Sequence, residues 1–197
     1  GGKIKYGHSE VGHISSDDHE MEQDEIEFSP VNVEDAADQL VIAKWMLRML
    51  GQRNNVTVTF APKILVGHAG SGMHVHTRVM KGDQNMMVEG GKLNDFARKV
   101  IAGYLQLAPS LTAFGNTIPL SFLRLVPHQE APTNVCWGDR NRSGLVRVPL
   151  GWLHSKDMAA DANPNETETA RNFSNNQTVE FRSPDGSANI HLLMAGL

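Results

Sequence analysis

Apolar and polar positions recur along this chain with two periods, and each period predicts its own elements. Between residues 32 and 50, Ala36, Leu40, Ala43, Leu47 and Leu50 return at spacings of four and three, the repeat of one helix face. Asn32 precedes the run as a cap, Glu34 and Asp35 fall in its first turn, and Gly51 stands as its stop. A second helix is expected over residues 94–107, capped by Asn94 and stopped by Pro109, with Phe96, Val100, Ile101, Tyr104, Leu105 and Leu107 apolar. Residues 110–126 read as a short helical region broken by Pro119 and closed by Pro127. Alternation with period two marks strands at residues 3–6, 25–28, 56–60, 74–76 and 178–182. Residues 81–85 read as a hairpin loop, and residues 151–177 as a polar, mobile excursion. A turn at residues 184–189 offers Asp185 or Asn189 as cap for a last helix from Ile190. The acidic run from Asp17 to Glu27 reads as a solvated loop up to the strand at residue 25.

Composition narrows the class of protein. The chain has 197 residues, 40% of them apolar and 20% charged, enough for one full core. A net charge of −4 with no basic cluster argues against a nucleic-acid partner. No apolar run approaches the length that spans a membrane. The single cysteine, Cys136, makes no internal disulfide and reads as a small buried residue beside Trp137. A reducing cytoplasmic setting fits that usage. The first residue is Gly1 and not Met, which suggests a fragment or a processed chain.

Candidate chemistry begins at Ala69-Gly70-Ser71-Gly72-Met73-His74-Val75-His76. On an extended backbone His74 and His76 share a face, with Val75 on the other. The glycines let the backbone approach a ligand closely. Two histidines hydrogen-bonded on a strand would leave the same pattern, so a metal, a phosphate and a structural role all stay open at this point. Glu25 and Glu27 also share a face, as hard oxygen donors for Mg²⁺ or Mn²⁺ or as solvated side chains. Arg124 lies within an apolar stretch and needs a partner there. Arg140, Arg142 and Arg147 suit anion contacts. Strand alternation separates Arg142 from Arg147 unless the chain shifts phase, which a bulge at Gly144 would allow. Glu180 and Arg182 share a face, as ligand and clamp or as a simple ion pair.

Taken in order, Gly70-Ser71-Gly72-Met73-His74-Val75-His76, Arg124-Leu125-Val126-Pro127, Glu130-Ala131-Pro132, Arg140-Asn141-Arg142-Ser143 and Glu180-Phe181-Arg182-Ser183-Pro184-Asp185 resemble the catalytic domain of the glutamine synthetase family. The likeness runs from about Glu10 to the end of the chain. It implies an α+β fold, a curved and mainly antiparallel sheet with helices on its outer face. It implies glutamine formation from glutamate, ammonia and ATP through a γ-glutamyl phosphate, with Mg²⁺ or Mn²⁺. Carried residue by residue, it implies one metal on Glu10 and Glu25 and a second on His74 and Glu180. Gly70 would meet substrate glutamate through its backbone, and Arg124 and Arg182 would clamp glutamate and its transferring phosphate. Arg142 and Arg147 would hold phosphates, and His76 would touch the nucleotide. Glu130 would sit on a flap that closes over the intermediate and helps deprotonate ammonium. A ring-shaped homo-oligomer with sites between subunits is implied as well.

The chain departs from the family pattern in several places. Ala69 stands where the family has Asn. Glu10 and Glu25 are fifteen residues apart, wider than usual, which makes Glu22 and Glu27 rivals as ligands. Asn175 and Thr178 replace basic residues that approach the nucleotide, and the loop between Arg147 and Glu180 is longer. The family's small N-terminal domain, its first pair of acidic ligands and its later C-terminal helices have no counterpart in these residues. The expectation is therefore part of a catalytic domain carrying half of a site. An acceptor other than ammonia, such as a polyamine, is one alternative. A non-catalytic relative kept for assembly or regulation is another, and a stand-alone metal-binding domain is a third.

Overall fold

A computed structural model describes residues 2–150, 165 and 174–197, so most of the polar excursion expected over residues 151–177 lies outside the described residues. In chain order the elements are β1 (Ile4–Ser15), β2 (Glu20–Phe28), α1 (Val33–Arg53), β3 (Val75–Thr77), β4 (Met80–Lys81), β5 (Gln84–Asn85), β6 (Val88–Glu89) and β7 (Lys92–Leu93). There follow α2 (Asp95–Gln106), α3 (Ala108–Gly115), α4 (Pro119–Arg124), β8 (Asn134–Asp139), β9 (Gly144–Val148), a 3-10 turn (Ser174–Asn176), β10 (Val179–Phe181) and α5 (Ile190–Gly196).

The central sheet has the order β3-β10-β9-β8. Strand β10 pairs antiparallel with both neighbours, and β8 runs parallel to β9. Register explains the two faces. Phe181 lies opposite both Val75 and Val146, while Glu180 lies opposite both His76 and Arg147. Cross-strand partners share a face, so one row is apolar and the next is charged. The apolar row packs under α2, where Ala97, Ile101 and Tyr104 are buried. The Tyr104 ring meets Phe181 edge-on at 5.8 Å, and its hydroxyl bonds Thr77 Oγ1 at 2.9 Å. This is the expected mainly antiparallel α+β arrangement, and no helix among the described residues is long and apolar enough to cross a membrane.

Helix α2 follows its sequence closely, since Asn94 Oδ1 accepts from Ala97 N at 3.0 Å. Other boundaries moved. Asn32 precedes α1, but its side chain makes no capping bond. The helix runs through Gly51, because that residue packs directly on Val56 and Val58 and leaves no room for a side chain. Pro109 does not end the helical region; it sits in the first turn of α3, where a missing N–H costs nothing. Pro119 likewise opens α4. Residues 56–60 join no strand ladder among the described residues. Instead Val56 N donates to Gly51 O, and Phe60 takes Lys44 and Arg48 over its ring at 5.3 and 5.0 Å. The last helix is capped by Asn189, whose Oδ1 accepts from Leu192 N, and not by Asp185.

The acidic run is mostly strand. β2 starts at Glu20 and pairs with the long β1, including Ser15↔Glu20 and His13↔Glu22. The cross-strand pair Lys5–Glu27 neutralises part of its charge, and His13 Nε2 lies 3.2 Å from Glu20 Oε1. The α1 stripe is only half-buried at Ala36, Leu40, Ala43 and Leu47, and Leu50 is exposed. Val41, Ile42, Trp45, Met46 and Met49 also face outward. Cys136 is half-buried, and Trp137 beside it is exposed. Two stability changes follow from these placements. Phe181→Ala should lower stability by about 3–5 kcal/mol, whereas Ile42→Ala on the outer side of α1 should change it by less than about 0.5 kcal/mol. Urea denaturation of this chain checks both.

Candidate active site

Strand β10 sets Glu180 at the centre of the charged row, where it is fully buried. Arg182 Nη1 donates to Glu180 Oε1 at 2.6 Å, and Arg147 Nε donates to Oε2. On the other side His74 Nδ1 lies 3.1 Å from Oε1, and His76 Nε2 lies 3.9 Å from it. The alternation read from the sequence therefore holds. His74 and His76 face one carboxylate, and Val75 points into the core. His76 Nδ1 also meets Thr178 Oγ1 at 3.2 Å.

Charge follows from these contacts. Burial alone would raise the Glu180 carboxyl, but the His74 hydrogen bond and the charges of His74, Arg182 and His76 outweigh it and bring the group to about 2. Burial pushes His74 down to about 4 despite Glu180. His74 is therefore neutral at pH 7, so the permanent cations on Glu180 are the guanidinium groups. A neutral His74 donates from Nδ1 to Glu180 and accepts at Nε2 from Arg124 Nη2, 3.4 Å away.

Arg124 is 2% exposed and finds its partners in the backbone. Its Nη1 donates to Ser183 O at 2.8 Å and Pro184 O at 3.2 Å, and its Nη2 to Arg182 O at 3.2 Å. Burial lowers it to about 10, so it stays charged. The glycine-rich turn wraps this guanidinium. A side chain at Gly72 would collide with Arg124 Nη2 and with His74 Nε2, and one at Gly70 would reach Pro62 O at 2.5 Å and Arg124 Cγ at 2.7 Å. The close approach expected of these glycines is thus to the arginine. Asp185, also fully buried, holds the following turn by accepting from Asn116 Nδ2 and Ser187 N, both at 2.8 Å.

The strand pair β1–β2 forms the second half of the site. His8 lies opposite Glu25, and the ladder is broken between Ser9 and His13. One ligand atom from each of His8, Glu10 and Glu25 lies within 4.8 Å of the others. The fifteen-residue spacing is taken up by that irregularity and by the turn at residues 16–19. The rivals are placed elsewhere: Glu22 opposite His13, and Glu27 on Lys5 at 2.8 Å. Partial desolvation and the facing Glu10 carboxylate raise Glu25 above its ordinary value. Gln23 fastens this hairpin to the glycine turn. Its Nε2 donates to Gly70 O and Ser71 Oγ, each at 3.0 Å, and its Oε1 accepts from Gly12 N at 3.1 Å.

Glu130 and the arginines close the third side. Glu130 has φ +58 in an exposed loop, and its Oε1 accepts from Arg142 Nη1 at 3.0 Å. Its carbonyl accepts from Arg182 Nη2 at 3.1 Å, and buried Lys63 donates to Gln129 beside it. Arg142 and Arg147 reach the same region, and the β8–β9 ladder carries a register shift between Asn134 and Trp137, whose partners are Gly144 and Val146. The chain turns back through residues 140–143, with Arg140 at φ +55, and β9 then runs parallel to β8. Asn175 carries no charge to the site; its Oδ1 accepts from Asn85 N and its Nδ2 donates to Asp83 O.

The sequence reading missed His8, Gln23 and Lys63. His8 had a signal, because it lies two residues before Glu10 on one strand face. Gln23 likewise precedes Glu25 by two. Nothing in the sequence pointed to Lys63. The Arg182 Nε is buried with no partner among the described residues, which leaves one guanidinium hydrogen for an anion. The donors at His8, Glu10 and Glu25 fit a divalent cation. At Glu180 both oxygens already accept from guanidinium groups, so a cation on His74 and Glu180 would compete with Arg147 and Arg182.

Fold and site together define a class: an α+β domain whose charged sheet face gathers carboxylates, histidines and arginines around one buried glutamate. Comparison then gives the family. The profile described as glutamine synthetase, catalytic domain, matches residues 8–197, and the chain belongs to that family. It is 37% identical over 202 residues to a glutamine synthetase of Mycobacterium bovis, covering 98% of this chain and 37% of that protein. It is 34% identical over 175 residues to one from Pyrococcus furiosus, covering 89% of this chain and 35% of that protein. A cryo-EM structure of Plasmodium falciparum glutamine synthetase superposes with a TM-score of 0.77 at 27% identity, over 98% of this chain and 33% of that one. The chain thus spans little more than a third of the relatives it matches.

Both depressed groups give acid stability the same sign. Each binds its proton less readily folded than unfolded, so protonation favours the unfolded chain. In chelator-containing buffer, stability should begin to fall below pH 6.5 as His74 approaches its folded value of about 4. It should fall further below pH 4.5 as Glu180 approaches about 2. Urea midpoints between pH 8 and 3 measure this, and Glu180→Gln should flatten the part below pH 4.5.

Proposed function

We propose that this chain is one wall of an ATP-dependent carboxylate–amine ligase that forms glutamine from glutamate and ammonia through a γ-glutamyl phosphate. The observation carrying the proposal is the buried Glu180 with histidines on one side and arginines on the other, set beside a hairpin holding two further carboxylates. A nucleotide triphosphate and a carboxylate repel each other, so a site that joins them needs fixed positive charge.

The placement of these residues supports a role for each. Glu10 and Glu25 would hold one divalent cation, and His74 with Glu180 would face a second. A divalent cation, when bound, offsets the negative charge of phosphates and carboxylate so that the two can meet. Arg182 offers its free Nε to the transferring phosphate or to glutamate. Arg147 and Arg142 present guanidinium groups to the nucleotide phosphates, and His76 borders the nucleotide. Arg124 acts from beneath, because its donors are committed to the Ser183–Pro184 backbone; it fixes His74 and the glycine turn. Gly70 offers backbone to glutamate on the side away from its carbonyl, which Gln23 occupies. Glu130 and Arg142 latch the flap, and release of that pair frees the Glu130 carboxylate to take a proton from ammonium. Closure shields the acyl phosphate from water. A ring-shaped homo-oligomer would supply the rest of each site, a reading supported by the outward-facing apolar side chains of α1.

A second reading is favoured by Ala69, which gives the glutamate pocket no polar side chain at that position. The acceptor would then be an amine other than ammonia. The test is product formation from glutamate, MgATP and ammonium, or a panel of amines, by the intact protein that carries this chain. Glutamine should form, and Glu180→Gln should cut turnover by at least about a hundredfold. Product with another amine alone would select the second reading. No product with any amine, or full turnover in the variant, would overturn the ligase assignment.

A further inference from the structure

Lys63 has no assigned part in the readings above, yet it is only 4% exposed and is bonded to the loop that carries Glu130. Its Nζ donates to His68 O at 2.5 Å, on the turn leading into the glycine run, and to the side chain of Gln129, the residue before Glu130. Both acceptors are neutral. Burial and the neighbouring Arg124 charge lower the Lys63 pKa from its ordinary value. An apolar side chain would fill such a place at less cost, so the use of the amino group lies in what it joins. What it joins is a strained loop. His128 and Glu130, on either side of Gln129, hold φ of +62 and +58, a region that costs free energy for residues other than glycine. Such a loop keeps its shape only where neighbours fix it. The Glu130–Arg142 pair is solvent-exposed and contributes little. The buried anchors are Arg182 on the Glu130 carbonyl and Lys63 on the Gln129 side chain.

We propose that Lys63 is a positioning residue of the ligase, tying the Glu130 loop to the turn at residues 64–68 so that the loop stays closed over the acyl phosphate and keeps water out. The inference rests on the ligase reading and adds the residue that couples ATP use to amide formation. In the coupled step, ammonia freed by Glu130 bonds the γ-carbonyl carbon. The bond from that carbon to the phosphate oxygen breaks, and the proton shed by nitrogen leaves with phosphate. In the leak, water attacks the same carbon and the same bond breaks, which returns glutamate and inorganic phosphate and releases a proton to solvent. A loosened loop admits water, so the leak grows while ATP binding is untouched.

The test measures inorganic phosphate and amide together in one reaction of the intact protein that carries this chain, with glutamate, MgATP and the amine it accepts. The unsubstituted protein should release one phosphate for each amide formed. Lys63→Met fills the space but donates nothing; it should release at least about three phosphates for each amide, with the KM for ATP changed less than about twofold. Gln129→Leu removes the acceptor on a half-buried loop side chain and should show the same rise, which keeps the proposal open to refutation should Lys63→Met fail to fold. Gln129→Glu keeps an acceptor and should hold the unsubstituted ratio. An unchanged ratio in Gln129→Leu or in folded Lys63→Met, or a loss in which amide and phosphate fall together, would overturn the role of Lys63 and leave the ligase reading standing. No amide from the unsubstituted protein with ammonium or any other amine would overturn both.

Discussion

A carboxylate that loses all contact with water must be matched by fixed positive charge, and Glu180 imposes that demand on the whole domain. Leaving such a group unpaired in the interior costs several kcal/mol. Here the match is made by Arg182 two residues on and Arg147 on the neighbouring strand, with His74 and His76 opposite. These partners come from three strands, so the ion network and the sheet register enforce each other. A slip of one residue would put Phe181 among the arginines and Glu180 against Tyr104. The candidate site and the fold thus share one constraint, because the charged cluster around Glu180 is also what holds β3, β10 and β9 in line.

Around this centre the chain packs with backbone atoms more than with side chains. Arg124 satisfies its guanidinium on three carbonyls of residues 182–184. Glycines at positions 70 and 72 let the turn close over it. Gln23 then carries the same turn to the β1–β2 hairpin, which brings the Glu10–Glu25 face alongside the sheet site. On that hairpin the Glu27 hydrogen bond, with burial, raises Tyr6 to about 12. The two halves of the site are therefore joined by a short hydrogen-bonded bridge. Substitutions at Gln23 would be felt at both.

What the sequence revealed depended on how local the cause was. The α2 cap at Asn94, the hairpin at residues 81–85 and the alternation around Glu180 are decided by neighbours in the chain, and each was legible. Boundaries set by distant contacts were not. Residues 56–60 have strand alternation but are packed on the end of α1. Pro109 looked like a terminator because nothing nearby shows that a new helix starts there. The turn at residues 140–143 returns the chain so that β8 and β9 run parallel, an uncommon short connection that alternation cannot signal. For the candidate site, motif order pointed to Glu180, His74 and the arginines, which the fold brings together. Lys63 meets Gln129 far along the chain, and only the fold brings it into view, whereas His8 and Gln23 carried a local signal in their two-residue spacing from Glu10 and Glu25.

The central claim is that Glu180 and its arginines are one coupled unit and not a row of independent charges. A double-mutant cycle of Glu180→Gln and Arg182→Met, read by urea denaturation at pH 7 without added metal, measures it most directly. The account predicts a coupling free energy above about 1.5 kcal/mol, because each single change strands a buried charge that the double change removes. Effects that add within about 0.5 kcal/mol would contradict it and reduce the network to separate contacts.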